Sequence, residues 1–272
     1  MIADVSASPA LLQPPDSLPR TSMHDRVVLV TGATGGLGRM LAVACARAGA
    51  TVVLHARVVR KLEALYDEIV AEQLPEPIIL PVDFTRAESG DFANVASALE
   101  QQLGRLDAVV HTAAMLGSLG PFEHQSFDQW LALLRVNVAA PMGLTRAVLP
   151  LLMRATDASV VFTLDHRALE PRAYWGGYAV SKAGVTTLAR ELADEWERRE
   201  HLRVNAVVPG PIRSPLRLQT HPGEDRQALP TVDKLVPLYE YLILGQPKTE
   251  SGQLIDVQAW LAGAPCAMSL RA

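Results

Sequence analysis

The chain reads as a doubly wound α/β protein, a single domain with a seven-stranded parallel sheet and helices on both faces. Three observations carry that expectation. The run Val27–Thr31 is β-branched and aliphatic and then breaks into Gly32, Gly36 and Gly38. Short apolar runs of strand length alternate with helical spacings as far as Val257, which calls for parallel strands joined by right-handed crossovers. With 272 residues, 49% of them hydrophobic and 5% aromatic, the chain can bury one large core, and nothing splits it in two.

The first strand needs no polar alternation, because a parallel strand is buried on both faces. Gly32, Gly36 and Gly38 fit a tight turn into a helix over 37–49, where a Cβ would block close approach of a phosphate or of the strand behind. Free N–H groups at that helix start suit an anion. The spacing is G-x-x-x-G-x-G and lacks the Lys-Ser/Thr of a P-loop, so a glycine turn with no ligand is the bland alternative. A second strand follows over 51–55 and a helix over 61–74. The second strand ends in Ala56-Arg57 with no acid to bind a ribose 2′-hydroxyl, and a guanidinium there favours the 2′-phosphate of NADP over NAD. Arg57 and Arg60 equally suit a solvated helix start. The third strand spans 77–82 and leads to Asp83, placed either to accept from an adenine amino group or simply to enter a helix. A helix over 92–103 and a fourth strand over 107–111 come next. The small residues Thr112, Ala113 and Ala114 then let the backbone pass close to a bound nucleotide.

Ser126 is an N-cap for a long helix running to about 153. Pro141 interrupts it and frees the carbonyl of Asn137, so a kink is expected there. A fifth strand over 158–163 precedes a long helix over 174–200 carrying Tyr178 and Lys182. Their i, i+4 spacing puts phenol and ammonium on one face, where the cation would lower the tyrosine pKa and make Tyr178 a general acid or base. The sixth strand spans 202–208 and ends in Pro209-Gly210-Pro211. Residues 212–230 are rich in Pro, Gly and charge and read as an irregular, mobile substrate lid. A helix over 232–244 and a strand over 253–257 complete the domain.

The formal net charge of -4, with no basic stripe, argues against a nucleic-acid surface. No apolar run reaches the eighteen or so residues of a membrane span. Residues 1–22, with four prolines and no basic-then-apolar export pattern, read as a flexible leader. The domain then spans 23–260 and a tail 261–272. Cys45 and Cys266 make no disulfide framework, which fits a cytoplasmic setting. The seven histidines show no ligand spacing, so no metal is expected.

TGATGGLG at 31–38, Asn137 within RVNV, YAVSK at 178–182 and PGPI at 209–212 occur together over about 26–257. On these motifs the chain resembles the short-chain dehydrogenase/reductase superfamily. Within it the chain is similar to proteobacterial oxidoreductases without a settled substrate, sharing Trp175 and the PLY stretch at 237–239. The resemblance implies one Rossmann-like domain binding NAD(P), with contacts assigned to Gly32, Thr34, Gly36, Leu37, Gly38, Arg57, Asp83, Ala113, Lys182, Pro209, Gly210 and Ile212. It also implies Tyr178 as proton donor, Lys182 on the nicotinamide ribose, Asn137 anchoring a relay water, and a homodimer or homotetramer built through the long helices.

Two departures stand out. The family's Asn-Ala-Gly after the fourth strand is Thr112-Ala113-Ala114 here. Its catalytic serine, thirteen residues before the tyrosine, is Asp165. An ionised carboxylate would repel the reacting oxygen, a protonated one would donate as serine does, and a shifted loop would bring in Thr163 or His166 instead. The leading expectation is an NADP(H)-dependent oxidoreductase acting on a small carbonyl or alcohol. The alternative is a cofactor-binding sensor or interaction protein that Asp165 has impaired. Met115, Leu116, Trp175, Leu216 and Leu218 are candidates to line a largely apolar substrate pocket.

Overall fold

The computed structural model describes residues 22–245 and 250–271. All but one residue of the expected leader therefore lies outside the described residues. In chain order the elements are β1 (Val27–Thr31), α1 (Gly36–Arg47), β2 (Thr51–Ala56), α2 (Val59–Ala71), β3 (Ile78–Pro81), α3 (Ser89–Leu103), β4 (Ala108–His111), α4 (Phe127–Leu134), α5 (Ala140–Arg154), β5 (Ala158–Thr163), α6 (His166–Leu169), α7 (Gly176–Glu195), β6 (Leu202–Val208), α8 (Pro215–Thr220), α9 (Val236–Leu244), β7 (Gln253–Asp256), α10 (Val257–Leu261) and β8 (Ala267–Ser269).

The sheet order is β3-β2-β1-β4-β5-β6-β7-β8. The first seven strands are parallel, as the alternation of apolar runs requires. The eighth, not seen in the sequence, is antiparallel and pairs β8 with β7, Ala267 standing opposite Ile255. It is three residues long, too short for any periodicity to reveal, and it lies in the stretch read as a tail. The doubly wound arrangement follows from residue alternation. Val28 and Val30 pack with α1, α2 and α9 on one face of the sheet. Val27 and Leu29 pack with α3, α5 and α7 on the other.

Register brings the strand ends level at one edge, Thr31 standing between His55 of β2 and His111 of β4. Strand order reverses there, and open α/β sheets bind ligands in the crevice at such a point. The long helix expected from Ser126 onward is present but divided. Ser126 caps α4 by accepting from the Gln129 N–H, and a π-helical turn over Arg135–Ala139 separates α4 from α5. Pro141, in the first turn of α5, has no N–H to continue α-helical pairing, which accounts for the extra residue in the turn that holds Asn137. By length and composition alone the helical stretch 127–154 is long and apolar enough to cross a membrane, although Asp128, Arg135 and Asn137 interrupt its apolar run, and half of its apolar window is buried inside the fold.

The expected irregular lid also holds an element. α8 forms because Ser214 accepts from the Arg217 N–H, Pro215 occupies the first turn, and Arg217 clasps Glu224 through paired bonds. Pro and charge content concealed it, since a six-residue helix shows no periodic stripe.

Candidate active site

The glycine turn is held by backbone contacts. Gly32 has φ +69°, and a Cβ there would stand 2.8 Å from the Ala113 Cα. A Cβ on Gly38 would strike the Gly32 carbonyl, so β1 and α1 close only around glycine. No side chain caps α1, which leaves its first N–H groups for an anion. Thr31 ties the neighbouring strand, its hydroxyl oxygen accepting from the N–H groups of Thr112 (3.1 Å) and Ala113 (3.2 Å). Thr112 returns a hydroxyl bond to the Thr31 carbonyl. The substituted Thr-Ala-Ala stretch thus has its own anchor.

Around this turn lies a cleft of about 320 Å³, lined among others by Gly32, Thr34, Arg57, Asp83, Ala113 and Met115. Gly36, Leu37 and Gly38 lie along the start of α1, outside that lining. Pro209, Gly210 and Ile212 sit beyond β6. There Gln258 donates to the Pro209 carbonyl at 2.8 Å, and the Ile212 side chain is buried in the core. Asp83 accepts from the N–H and hydroxyl of Thr85, and these bonds with the positive charges of Arg57 and Arg86 bring its pKa below the usual value despite partial burial. The lining fits a nucleotide with an extra phosphate: glycines and alanines give backbone room, Arg57 supplies the cation, and no acid stands at the end of β2.

His55 escaped the sequence reading. Its ring is buried at the mouth of the cleft and stacked 4.0 Å from Phe84. Nδ1 accepts from the Gly32 N–H at 3.3 Å, and Nε2 lies 3.1 Å from the Val82 carbonyl, so the neutral Nε2–H tautomer bridges the first and third strands. Burial lowers its pKa to about 4. Nothing in a lone histidine at a strand end signals this. Only the register does.

The second half of the site gathers at the ends of β5 and α7. Tyr178 is 1% exposed and Lys182 5%. Lys182 donates to the Thr163 carbonyl at 3.0 Å, and its Nζ lies 5.9 Å from the centre of the Tyr178 ring. Burial lowers the ammonium pKa to about 8, the charge of Asp165 opposing the shift. Asp165 caps α6, one oxygen accepting from the Arg167 N–H at 2.8 Å and the other from the Tyr178 hydroxyl at 2.9 Å. The tyrosine therefore departs from the sequence expectation. Burial first, then the Asp165 charge and hydrogen bond, push its pKa well above the ordinary value, and Lys182 does not bring it down. Neither Thr163 nor His166 takes the serine's place: the Thr163 hydroxyl pairs with Tyr239, and His166 pairs with Glu170.

The Asn137 side chain joins the π turn to the stretch after β4 and to α7. Its Oδ1 accepts from the Met115 N–H at 2.8 Å, and Nδ2 donates to the Met115 carbonyl and to the Ser181 hydroxyl. Ser181 in turn donates to the Tyr178 carbonyl, linking the π turn to α7. Among the substrate candidates, Trp175 stands 5.8 Å from Tyr178, ring centre to ring centre, and 6.1 Å from His221. Met115 belongs to the nucleotide cleft, Leu216 is half-buried on α8, and Leu218 is 42% exposed. α8 leans on the glycine turn, since a Cβ on Gly36 would stand 2.9 Å from the Pro215 ring. Among the described residues no cluster of three His, Cys, Asp or Glu side chains has metal-binding geometry.

A fold with a glycine turn where its strand order reverses, and with Tyr178 and Lys182 at the end of β5, the strand next to β4, has the arrangement of a nucleotide-dependent enzyme of the dehydrogenase type. Residues 26–225 match the family model described as short chain dehydrogenase. The chain belongs to the short-chain dehydrogenase/reductase family. It is 37% identical over 236 residues to an uncharacterized oxidoreductase, YciK, of Escherichia coli K12, covering 87% of this chain and 93% of that protein. A short chain dehydrogenase of Pseudomonas syringae superposes with a TM-score of 0.86 at 34% identity, over 92% of this chain and all of the other. One from Shigella flexneri 2a, crystallised with NADP, gives 0.84 at 35% identity, over 88% of this chain and all of the other.

Proposed function

We propose that the protein is an NADP(H)-dependent oxidoreductase, transferring a hydride between the nicotinamide and a polar double bond, with a carbonyl or its alcohol as the broad substrate class and Tyr178 as general acid or base. The observation that carries this reading is the buried Tyr178–Lys182 pair at the end of β5, together with a nucleotide cleft in which β2 is followed by Arg57 and not by an acid. Gly32, Thr34, Ala113 and Arg57 would hold the nucleotide, with Lys182 toward its ribose, and NADPH when bound supplies the hydride. A buried phenol that keeps its proton is suited to give it to an oxygen gaining charge. Asn137 of the π turn donates to Ser181, which donates to the Tyr178 carbonyl, and so ties α7 to the stretch after β4 through Met115. A homodimer or homotetramer in the cytoplasm belongs to the same proposal.

A second reading has its own support. Asp165 takes the Tyr178 proton into a hydrogen bond, which suits a cofactor-binding sensor with impaired catalysis. Titration with NADPH and with NADH, followed by tryptophan quenching, and then NADPH oxidation against a panel of ketones, aldehydes and imines, separates the two. The enzyme reading expects NADPH to bind at least about tenfold tighter than NADH, a difference of some 1.4 kcal/mol, and at least one substrate to be turned over. A sensor binds NADPH and turns over nothing. Failure to bind either nucleotide overturns both.

A further inference from the structure

We propose that Asp165 selects a substrate whose reducible bond is C=N, held as the protonated iminium, over a ketone of the same shape. This rests on the reading of Tyr178 and Lys182 as the reducing centre and narrows its substrate.

The argument starts from where the carboxylate is fixed. Capping α6 through the Arg167 N–H pins one oxygen, so the group cannot swing out of the site. The other oxygen accepts from the Tyr178 hydroxyl. Both oxygens accept, so in this arrangement Asp165 offers a substrate lone pairs and not a donor. A ketone oxygen brought to Tyr178 would gain negative charge beside an existing negative charge, and it would have to take the phenol proton away from Asp165. An iminium nitrogen reverses both relations. Its N–H donates to the carboxylate, a charge-assisted bond, and its charge disappears as the reaction proceeds.

The bond changes balance without a further reagent. A hydride, with its two electrons, adds to the carbon of C=N⁺–H, the π pair moves to nitrogen, and a neutral amine results. The reduced nicotinamide is the two-electron donor and leaves oxidised. An imine that arrives neutral draws its one proton from water through Tyr178. The other groups around Asp165 are Lys182, which spends a hydrogen bond on the Thr163 carbonyl, His221, and Arg167, whose guanidinium is turned onto the Trp175 ring at 5.0 Å. Burial, with the charges of Arg217 and Arg167, shifts His221 down, while Glu224 and Asp165 oppose the shift. The Trp175 ring stands 5.8 Å from that of Tyr178, centre to centre, and would give a cyclic frame at the phenol an aromatic neighbour.

The test uses the full chain with bound nucleotide and the variants Asp165→Ser and Asp165→Asn. Both replacements are themselves N-cap residues, so α6 keeps its start. With NADP⁺ present, calorimetry measures binding of tetrahydroisoquinoline, a cationic amine, and of isochroman, the neutral ether of the same frame. With NADPH, turnover of dihydroisoquinoline is compared with that of tetralone. The wild type is expected to bind the amine at least about tenfold tighter than either variant while isochroman changes less than about threefold, and to prefer the imine over the ketone by about tenfold in kcat/KM. Asp165→Ser is expected to invert that preference. Equal amine affinity in all three proteins overturns the proposal, whatever the turnover. A wild type that reduces tetralone faster than the imine overturns it while leaving the oxidoreductase reading intact. A protein that binds no NADPH removes that reading, and the proposal with it.

Discussion

The two halves of the proposed site are built from different materials. The nucleotide half, at the ends of β1, β2 and β4, is made of backbone: a glycine with positive φ, small residues that let strands approach, and one threonine and one histidine that tie the turn to its neighbours. The reaction half, at the ends of β5 and α7, is made of buried ionisable side chains that set one another's charge. A backbone site depends on shape and fails when a Cβ is added. A side-chain site depends on charge, and Asp165, standing where the family has serine, takes the Tyr178 hydroxyl into a hydrogen bond.

Breaking the reaction half should leave the nucleotide half alone. Tyr178→Phe is expected to lower carbonyl turnover by about 10²–10⁴-fold, the range for removing a positioned proton donor, while the NADPH dissociation constant moves less than about threefold. Parallel titration and steady-state kinetics check the split, and a comparable loss of nucleotide affinity would show that the halves are not separate. The converse cut is Gly32→Ala. A left-handed backbone and a Cβ pressed onto Ala113 are expected to cost about 3 kcal/mol of stability, read as a shift in urea midpoint, together with loss of NADPH binding.

Acid tests the tie between strands. His55 and His111 have pKa values lowered by burial to about 4 and about 3, so between these values and about 6.5 the unfolded chain binds protons that the folded one refuses. Stability is present in full above about pH 6.5 and falls as pH drops through that window, by about 2 kcal/mol for each ring between pH 7 and pH 5. Urea unfolding at the two pH values should show that loss, and His111→Gln should remove about half of it. The smallest expected effect is at the rim. Arg57→Ala should weaken NADPH by about tenfold, some 1.4 kcal/mol, and leave NADH unchanged. Equal weakening of both would assign Arg57 to the solvated start of α2 instead.

Much of the frame was legible because its causes are local. Strand-length apolar runs, the glycine turn, and the Tyr178–Lys182 spacing each follow from neighbours in sequence, and the seven parallel strands and the tyrosine–lysine face are where the residues indicate. Pro141 signalled a break in the long helix, and the break is a π turn. β8 and α8 were illegible because three or six residues carry no period, and each is stabilised by a partner or cap found only on folding.

The sequence by itself determined which groups this protein has to work with: a glycine turn, an arginine where an acid would select NAD, a tyrosine and lysine one helical turn apart, and an aspartate thirteen residues before the tyrosine. Tertiary structure alone decided their state. Burial of Tyr178 against the Asp165 carboxylate raised a pKa that the nearby lysine was expected to lower, strand register turned His55 into a brace for the glycine turn, and Asn137 spent its side chain on the Met115 backbone. Charge state and hydrogen-bond partner depend on what is packed within a few ångströms. That is set by contacts between residues far apart in the chain, which spacing along it does not encode.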